Sequence, residues 1–129
     1  MSGEPTAEFQ VGMPRNYLRP ALLLLLGEGT SHGYELLDQL TSLGLNRPDP
    51  GRVYRCLRAM DEDGLVHSAW APSSTGPARR TYALTDEGRD WLDVLSGSLA
   101  EVARTLGAYQ RRYHRLAVRE ETVREDTVR

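Results

Sequence analysis

The chain has no lysine, no isoleucine and only one cysteine, Cys56. All 16 basic residues are therefore arginines, a bias we read as the codon usage of a GC-rich genome and not as a functional signal. A single cysteine excludes an intrachain disulfide framework and a cysteine zinc cluster. Cys56 falls at the margin of an apolar helix face, where an inert thiol is the expectation and not a nucleophile. His32, His67 and His114 lack metal-like spacing to one another or to Cys56, so no metal is expected. The longest leucine run, within Ala21–Leu26, is far too short to span a bilayer. The net charge of −2 excludes a non-specific polycation, so any grip on nucleic acid must rest on a local patch. The start, MSGEPTAEFQ, is acidic and polar and resembles neither a signal nor a transit peptide, so the expected location is the cytoplasm. No serine–histidine pairing or phosphate-cradling glycine loop stands out, and the acids Asp61, Glu62 and Asp63 read as solvated charges at a helix end. No enzyme and no cofactor are expected.

What the chain does have fits one domain with a modest core that a partner subunit can complete. It has 129 residues, of which 40% are hydrophobic and 26% charged. Residues 1–14 read as a flexible arm interrupted by Gly3, Pro5, Gly12 and Pro14. A first helix is predicted from Tyr17 to about Leu26, with Pro20 in its first turn and leucines around its axis, ended by Gly27 and Gly29. Thr30 and Ser31 offer caps for a second helix from about His32 to Leu43, with Tyr34, Leu37 and Leu40 as its apolar stripe. Gly44 stops it, and Asn46–Asp49 forms a turn.

Asp49–Val66, DPGRVYRCLRAMDEDGLV, is the stretch around which the rest is organised. Asp49 reads as an N-cap and Pro50 as the first helical residue. At about 100° per residue, Val53, Leu57 and Met60 share one side. Arg55 lies nearly opposite, flanked by Arg52 and Arg58, with Tyr54 beyond Arg58. Taken alone, this is either an ordinary amphipathic helix with a solvated face or a helix aimed at a negatively charged groove. Gly64 closes it. Leu65–Ala71 and Arg80–Leu84 then read as two strands, the second with Tyr82 and Leu84 on one face, joined by the turn-rich tip APSSTGPA.

Thr85, followed by Asp86 and Glu87, starts the last helix. Along it Leu92, Leu95, Leu99, Val102, Leu106, Tyr109, Tyr113 and Leu116 alternate spacings of three and four. A heptad seam of this length points to packing against a second copy of the same helix, and not only against its own small body. Gly97 lies off the seam and weakens the helix locally, as a bend would. From Ala117 the chain is charged, and a frayed end or a disordered tail is expected.

Helix, helix, helix, hairpin is the order of a winged helix-turn-helix, in which the third helix enters the major groove and the hairpin approaches the backbone or minor groove. Arginines stand at both points: Arg52, Arg55 and Arg58 on the helix, Arg79 and Arg80 on the hairpin. The first turn of the second helix, His32-Gly33-Tyr34, also offers backbone amides to a phosphate. That coincidence favours DNA over the solvated-face reading.

These residues also carry a resemblance. From about Tyr17 to Tyr113 the chain resembles the PadR family of bacterial transcriptional regulators, through HGYEL (His32–Leu36), GRVYRCL (Gly51–Leu57), DEDGLV (Asp61–Val66) and GPARRTYALTDEG (Gly76–Gly88). The resemblance implies a homodimeric winged-helix repressor that binds an inverted-repeat operator in double-stranded DNA and is usually released by a small molecule or by altered expression. By motif position, Tyr34, Tyr54, Arg79 and Arg80 face DNA or support the surface that does. Relatives commonly have a small hydroxyl residue at the position of Arg52 and often a proline at that of Arg55, so the operator is expected to differ from the usual ones. Multidrug-binding members sandwich flat ligands with a tryptophan on the dimerisation helix. The equivalent position here is Leu99, while Trp70 and Trp91 lie elsewhere and read as core or interface residues.

The expectation is a mainly α protein with a small β-hairpin: a winged helix-turn-helix over residues 15–84, a dimerisation helix over 85–116 and a charged tail over 117–129. The residues assigned to DNA are His32, Tyr34, Arg52, Tyr54, Arg55, Arg58, Arg79 and Arg80. Those assigned to the dimer are Leu92, Leu95, Leu99, Val102, Leu106, Tyr109 and Tyr113. The rival reading is a winged-helix module that senses a ligand or binds a protein without reading DNA.

Overall fold

The computed structural model describes residues 16–29, 32–46, 48–72 and 76–128. The expected arm, the caps Thr30 and Ser31, and Ser73–Thr75 of the hairpin tip lie outside them. The elements are α1 (Leu18–Glu28), α2 (Gly33–Leu40) continued by a single 3-10 turn (Thr41–Leu43), α3 (Pro50–Glu62), strands β1 (Val66–Ala71) and β2 (Arg79–Leu84), and α4 (Asp86–Val128). This is the mainly helical, single-hairpin order expected from the sequence. The chain divides into two compact units, one ending at Asp93 and one beginning at Val94.

In the first unit α1 supplies the centre of the core. Leu22, Leu23, Leu25 and Leu26 are buried, whereas Leu24 is exposed, so one leucine of the run faces outward. Gly27 sits inside the helix; the stop is Gly29, in the left-handed region at φ 111°. Helix α2 buries Gly33, Leu36 and Leu40. The expected stripe was one residue out of phase at its first two positions: Tyr34 is exposed and Leu37 half-buried, while Gly33 and Leu36 take the inward places. Helix α3 buries Val53, Leu57 and Met60, as its periodicity predicts. Each fully buried leucine contributes about 1.5–3 kcal/mol relative to an exposed one. Leucines from three helices therefore close the core, and no polar or charged residue among those described is buried in it as a whole.

Local chemistry sets the ends of α3. The Asp49 carboxylate accepts the Gly51 amide at 3.1 Å, with Pro50 at the first helical position. At the other end Leu65 N–H donates to the Met60 carbonyl and Gly64 N–H to the Asp61 carbonyl. That paired closure requires a left-handed residue, and Gly64 supplies it at φ 79°. The chain then turns directly into β1, which pairs antiparallel with β2 in the register Val66 with Leu84, Ser68 with Tyr82 and Trp70 with Arg80. His32, in extended conformation before α2, adds a one-residue antiparallel bridge to Thr81.

The hairpin hands over to α4 at Thr85. Its hydroxyl donates to the Gly64 carbonyl at 2.6 Å and accepts the Gly88 amide at 3.0 Å, the geometry of an N-cap. Thr85 N–H donates to the Leu65 carbonyl at 3.1 Å. In the second unit α4 runs unbroken past Gly97 and through the charged residues 117–128, where the sequence predicted fraying or disorder. That segment contains neither glycine nor proline, and its Glu120 and Arg124 stand four residues apart in the favourable order.

The Thr85 junction is tight. A methyl group on Gly88 would sit 1.9 Å from the Leu65 carbonyl oxygen, whereas one on Gly97 would meet nothing within 4 Å. Gly88→Ala is therefore expected to cost roughly 1–3 kcal/mol or more. Gly97→Ala should instead gain up to about 1 kcal/mol as a glycine leaves a helix interior. Thermal melts of the two variants check this, and shifts of the same sign would refute the tight junction.

Candidate nucleic-acid interface

Docking α3 through Val53, Leu57 and Met60 leaves Arg52, Tyr54, Arg55 and Arg58 exposed on its other side. The same helix carries Cys56 at its margin, half-buried. Burial pushes its thiol pKa up against the opposing pull of Arg19 and Arg52, which keeps it protonated and unreactive.

The hairpin arginines do not form one basic point. Neighbouring residues on a strand point to opposite faces, and Arg79 and Arg80 do so here. Arg79 turns toward α2, where its guanidinium donates to the Tyr34 hydroxyl at 2.8 Å and lies 5.0 Å above the Tyr34 ring centre. His32 stacks on the same ring with 5.7 Å between centroids. Arg80 turns toward the end of α3. It donates to the Ser68 hydroxyl at 2.8 Å, lies 5.1 Å above the Trp70 ring centre and stands 4.0 Å from the Asp61 carboxylate. The Ser68 hydroxyl in turn donates to that carboxylate.

Between α3 and the hairpin lies a cleft of about 510 Å³ lined by Tyr54, Arg58, Asp61, Trp70, Arg80 and Tyr82. Tyr82 forms its floor. Burial raises its phenol pKa, Arg80 opposes that rise, and the ring stays neutral. Tyr54 forms one wall and lies close over the start of α2: a methyl group on Gly33 would come within 2.6 Å of its ring. One face of the first unit thus brings together Tyr54 and Arg58 with Arg80, while His32, Tyr34 and Arg79 form a second cluster at the start of α2. Among the described residues no side chain caps the first turn of α2.

A family model, that of the PadR-like transcriptional regulators, matches residues 22–94. The chain belongs to this family. Transcriptional regulator YqjI of Escherichia coli (strain K12) is 32% identical over 78 residues, which are 59% of this chain and 36% of YqjI. The chain thus spans about a third of the length of the curated relatives it matches. Among solved structures, a PadR-like transcriptional regulator from Bacillus cereus strain ATCC 14579 is 28% identical with a TM-score of 0.65, over 72% of this chain and 90% of that one. A PadR family transcription regulator from Clostridium difficile R20291 has the same fold at 23% identity and a TM-score of 0.65, over 73% of this chain and 98% of that one.

Within this PadR fold two sequence readings change. Trp70 is not a core residue: it is 65% exposed beside Arg80. Trp91 is likewise exposed. Asp61, read as one of three solvated acids, is half-buried and accepts the Ser68 hydroxyl. Ser68 carried no signal by itself. The hairpin register, which sets Ser68 and Trp70 on one face with Tyr82 and Arg80, is the pattern that marks it.

The contact between Gly33 and Tyr54 makes a signed expectation. Gly33→Ala should destabilise the protein by the order of 1 kcal/mol, because the Tyr54 ring must move. In a Tyr54→Ala background the same change should be neutral or stabilising. Thermal melts of the four proteins test it, and equal losses in both backgrounds would remove the contact from the account.

Proposed function

We propose that this PadR regulator is a homodimeric repressor that binds an inverted-repeat operator in double-stranded DNA. In this reading α3 enters the major groove with Arg52, Tyr54, Arg55 and Arg58, and the hairpin brings Arg79 and Arg80 to the flanking backbone or minor groove. His32 and Tyr34 support the surface beside Arg79. The observation that carries the reading is the face of α3: every arginine of that helix is exposed, while Val53, Leu57 and Met60 are buried. Guanidinium groups suit both base edges and phosphates, so one surface supplies affinity and readout. The protein then acts as a regulator in the cytoplasm, where its operator is, and catalyses nothing.

Dimerisation rests on the seam of α4. Val102, Leu106, Tyr109, Tyr113 and Leu116 are all exposed on the single chain, and Leu95 and Leu99 are half-buried. Heptad spacing held over that length is what a partner helix covers. Leu92 opens the seam and also belongs to the first unit, where a methyl group on Gly27 would lie 3.4 Å from both Leu92 and Leu84. Residues 15–84 then read DNA, 85–116 pair the subunits and 117–128 extend the helix as a charged end. A small molecule that alters the subunit pairing would release the operator, as is usual for such repressors.

Two measurements test the scheme. In a gel shift with the DNA upstream of its own gene, binding should fall steeply with salt, and Arg55→Ala should weaken it by about 1–3 kcal/mol, roughly 5- to 150-fold. Salt-insensitive or absent binding would defeat the DNA reading. Light scattering on Leu99→Arg should report a monomer, and an unchanged dimer would remove the seam from the argument.

A further inference from the structure

We infer that Ser68 is a positioning residue for the hairpin's DNA contact: its hydroxyl, anchored on Asp61, aims the Arg80 guanidinium into the cleft beside α3. The inference rests on the DNA-binding reading above and deepens it. It starts from an electrostatic oddity. Asp61 lies in the last turn of α3, where the helix dipole is unfavourable to a carboxylate. Two groups on the hairpin lie against that carboxylate. The Ser68 hydroxyl donates to Asp61 Oδ2, and Arg80 stands at 4.0 Å from the same oxygen, too far for a close ion pair.

The hydroxyl is therefore the link between them. Ser68 Oγ has one proton, which goes to Asp61, and lone pairs, one of which accepts Arg80 Nη2 at 2.8 Å. The relay Asp61–Ser68–Arg80 joins the end of α3 to both strands. Trp70, paired directly across from Arg80, supplies a plate beneath the guanidinium. An arginine side chain otherwise loses about 2 kcal/mol of rotamer entropy on being fixed, so one already fixed contacts a phosphate at lower cost. Its bond to Ser68 engages one of five N–H donors, and the side chain remains 43% exposed beside Tyr54 and Arg58. Arg80 is thus oriented through Ser68 while its side chain stays partly exposed on the cleft. Arg79 instead donates to Tyr34 of α2.

The test measures operator affinity against salt for the full-length dimer and three replacements of Ser68. Ser68→Thr keeps the hydroxyl and Ser68→Val has nearly the same shape without it, and both suit a strand. Ser68→Ala removes the hydroxyl with least change in volume. Ala and Val should weaken binding about 2- to 10-fold, the worth of one hydrogen bond, while Thr binds as wild type. The slope of log affinity on log salt should become shallower by up to about 0.9, one phosphate contact. In an Arg80→Ala background none of the three should matter. Loss with Val but also with Thr, equal losses in both backgrounds, or wild-type binding by Ala and Val would overturn the inference while leaving the repressor reading intact. Failure of the wild-type protein to bind DNA would instead sink the reading on which it rests.

Discussion

Four elements of this protein are tied at one backbone carbonyl. The Leu65 oxygen accepts the Thr85 amide, while the Thr85 hydroxyl reaches back to Gly64 and forward to the Gly88 amide. The end of α3, the start of β1, the end of β2 and the first turn of α4 therefore meet within a few residues. Only a residue without a side chain fits at position 88. Because α3 is closed by Gly64 immediately before this point, the junction also sets where the hairpin stands relative to the arginine face. The candidate interface depends on that placement more than on any contact within it.

The remaining packing follows from it. Tyr82 is fixed on the inner face of β2 by the register that begins at Val66 and Leu84. Its ring forms the floor of the cleft, and Tyr54 leans over Gly33 to form one wall. The polar groups then sit around a rigid apolar frame. Asp61, Ser68 and Arg80 form a chain of hydrogen-bonded and charged atoms at its rim, and each is oriented by an element the junction holds in place.

Much of this was legible in the sequence. The apolar period of α3, the cap at Asp49 and the threonine at position 85 each act over a few residues, and local chemistry decides them. Element order and the family resemblance followed from motifs quoted along the chain. What failed involved distance in sequence. The stripe of α2 was misassigned because the buried side runs through Gly33, Leu36 and Leu40, and Gly33, with no side chain to mark it as apolar, lies against Tyr54, 21 positions away. Trp70 and Trp91 were read as core or interface residues on their type, and the core half of that reading fails: Trp70 is exposed with an arginine as its neighbour across the ladder, and Trp91 is exposed as well. The charged end of α4 looked too polar to fold, but without a glycine or proline to break it the helix continues.

The separation of Arg79 from Arg80 has a consequence for how such a hairpin can change. Direction along a strand is a matter of parity: odd and even positions serve different neighbours. A deletion or insertion within the tip would alter reach and leave both arginines facing as they do. A single residue gained or lost inside β2 would exchange them, presenting one arginine to Tyr34 and delivering the other to Asp61 with their surroundings reversed. Tip length is therefore free to change without turning either arginine, while a one-residue change within the strand turns both.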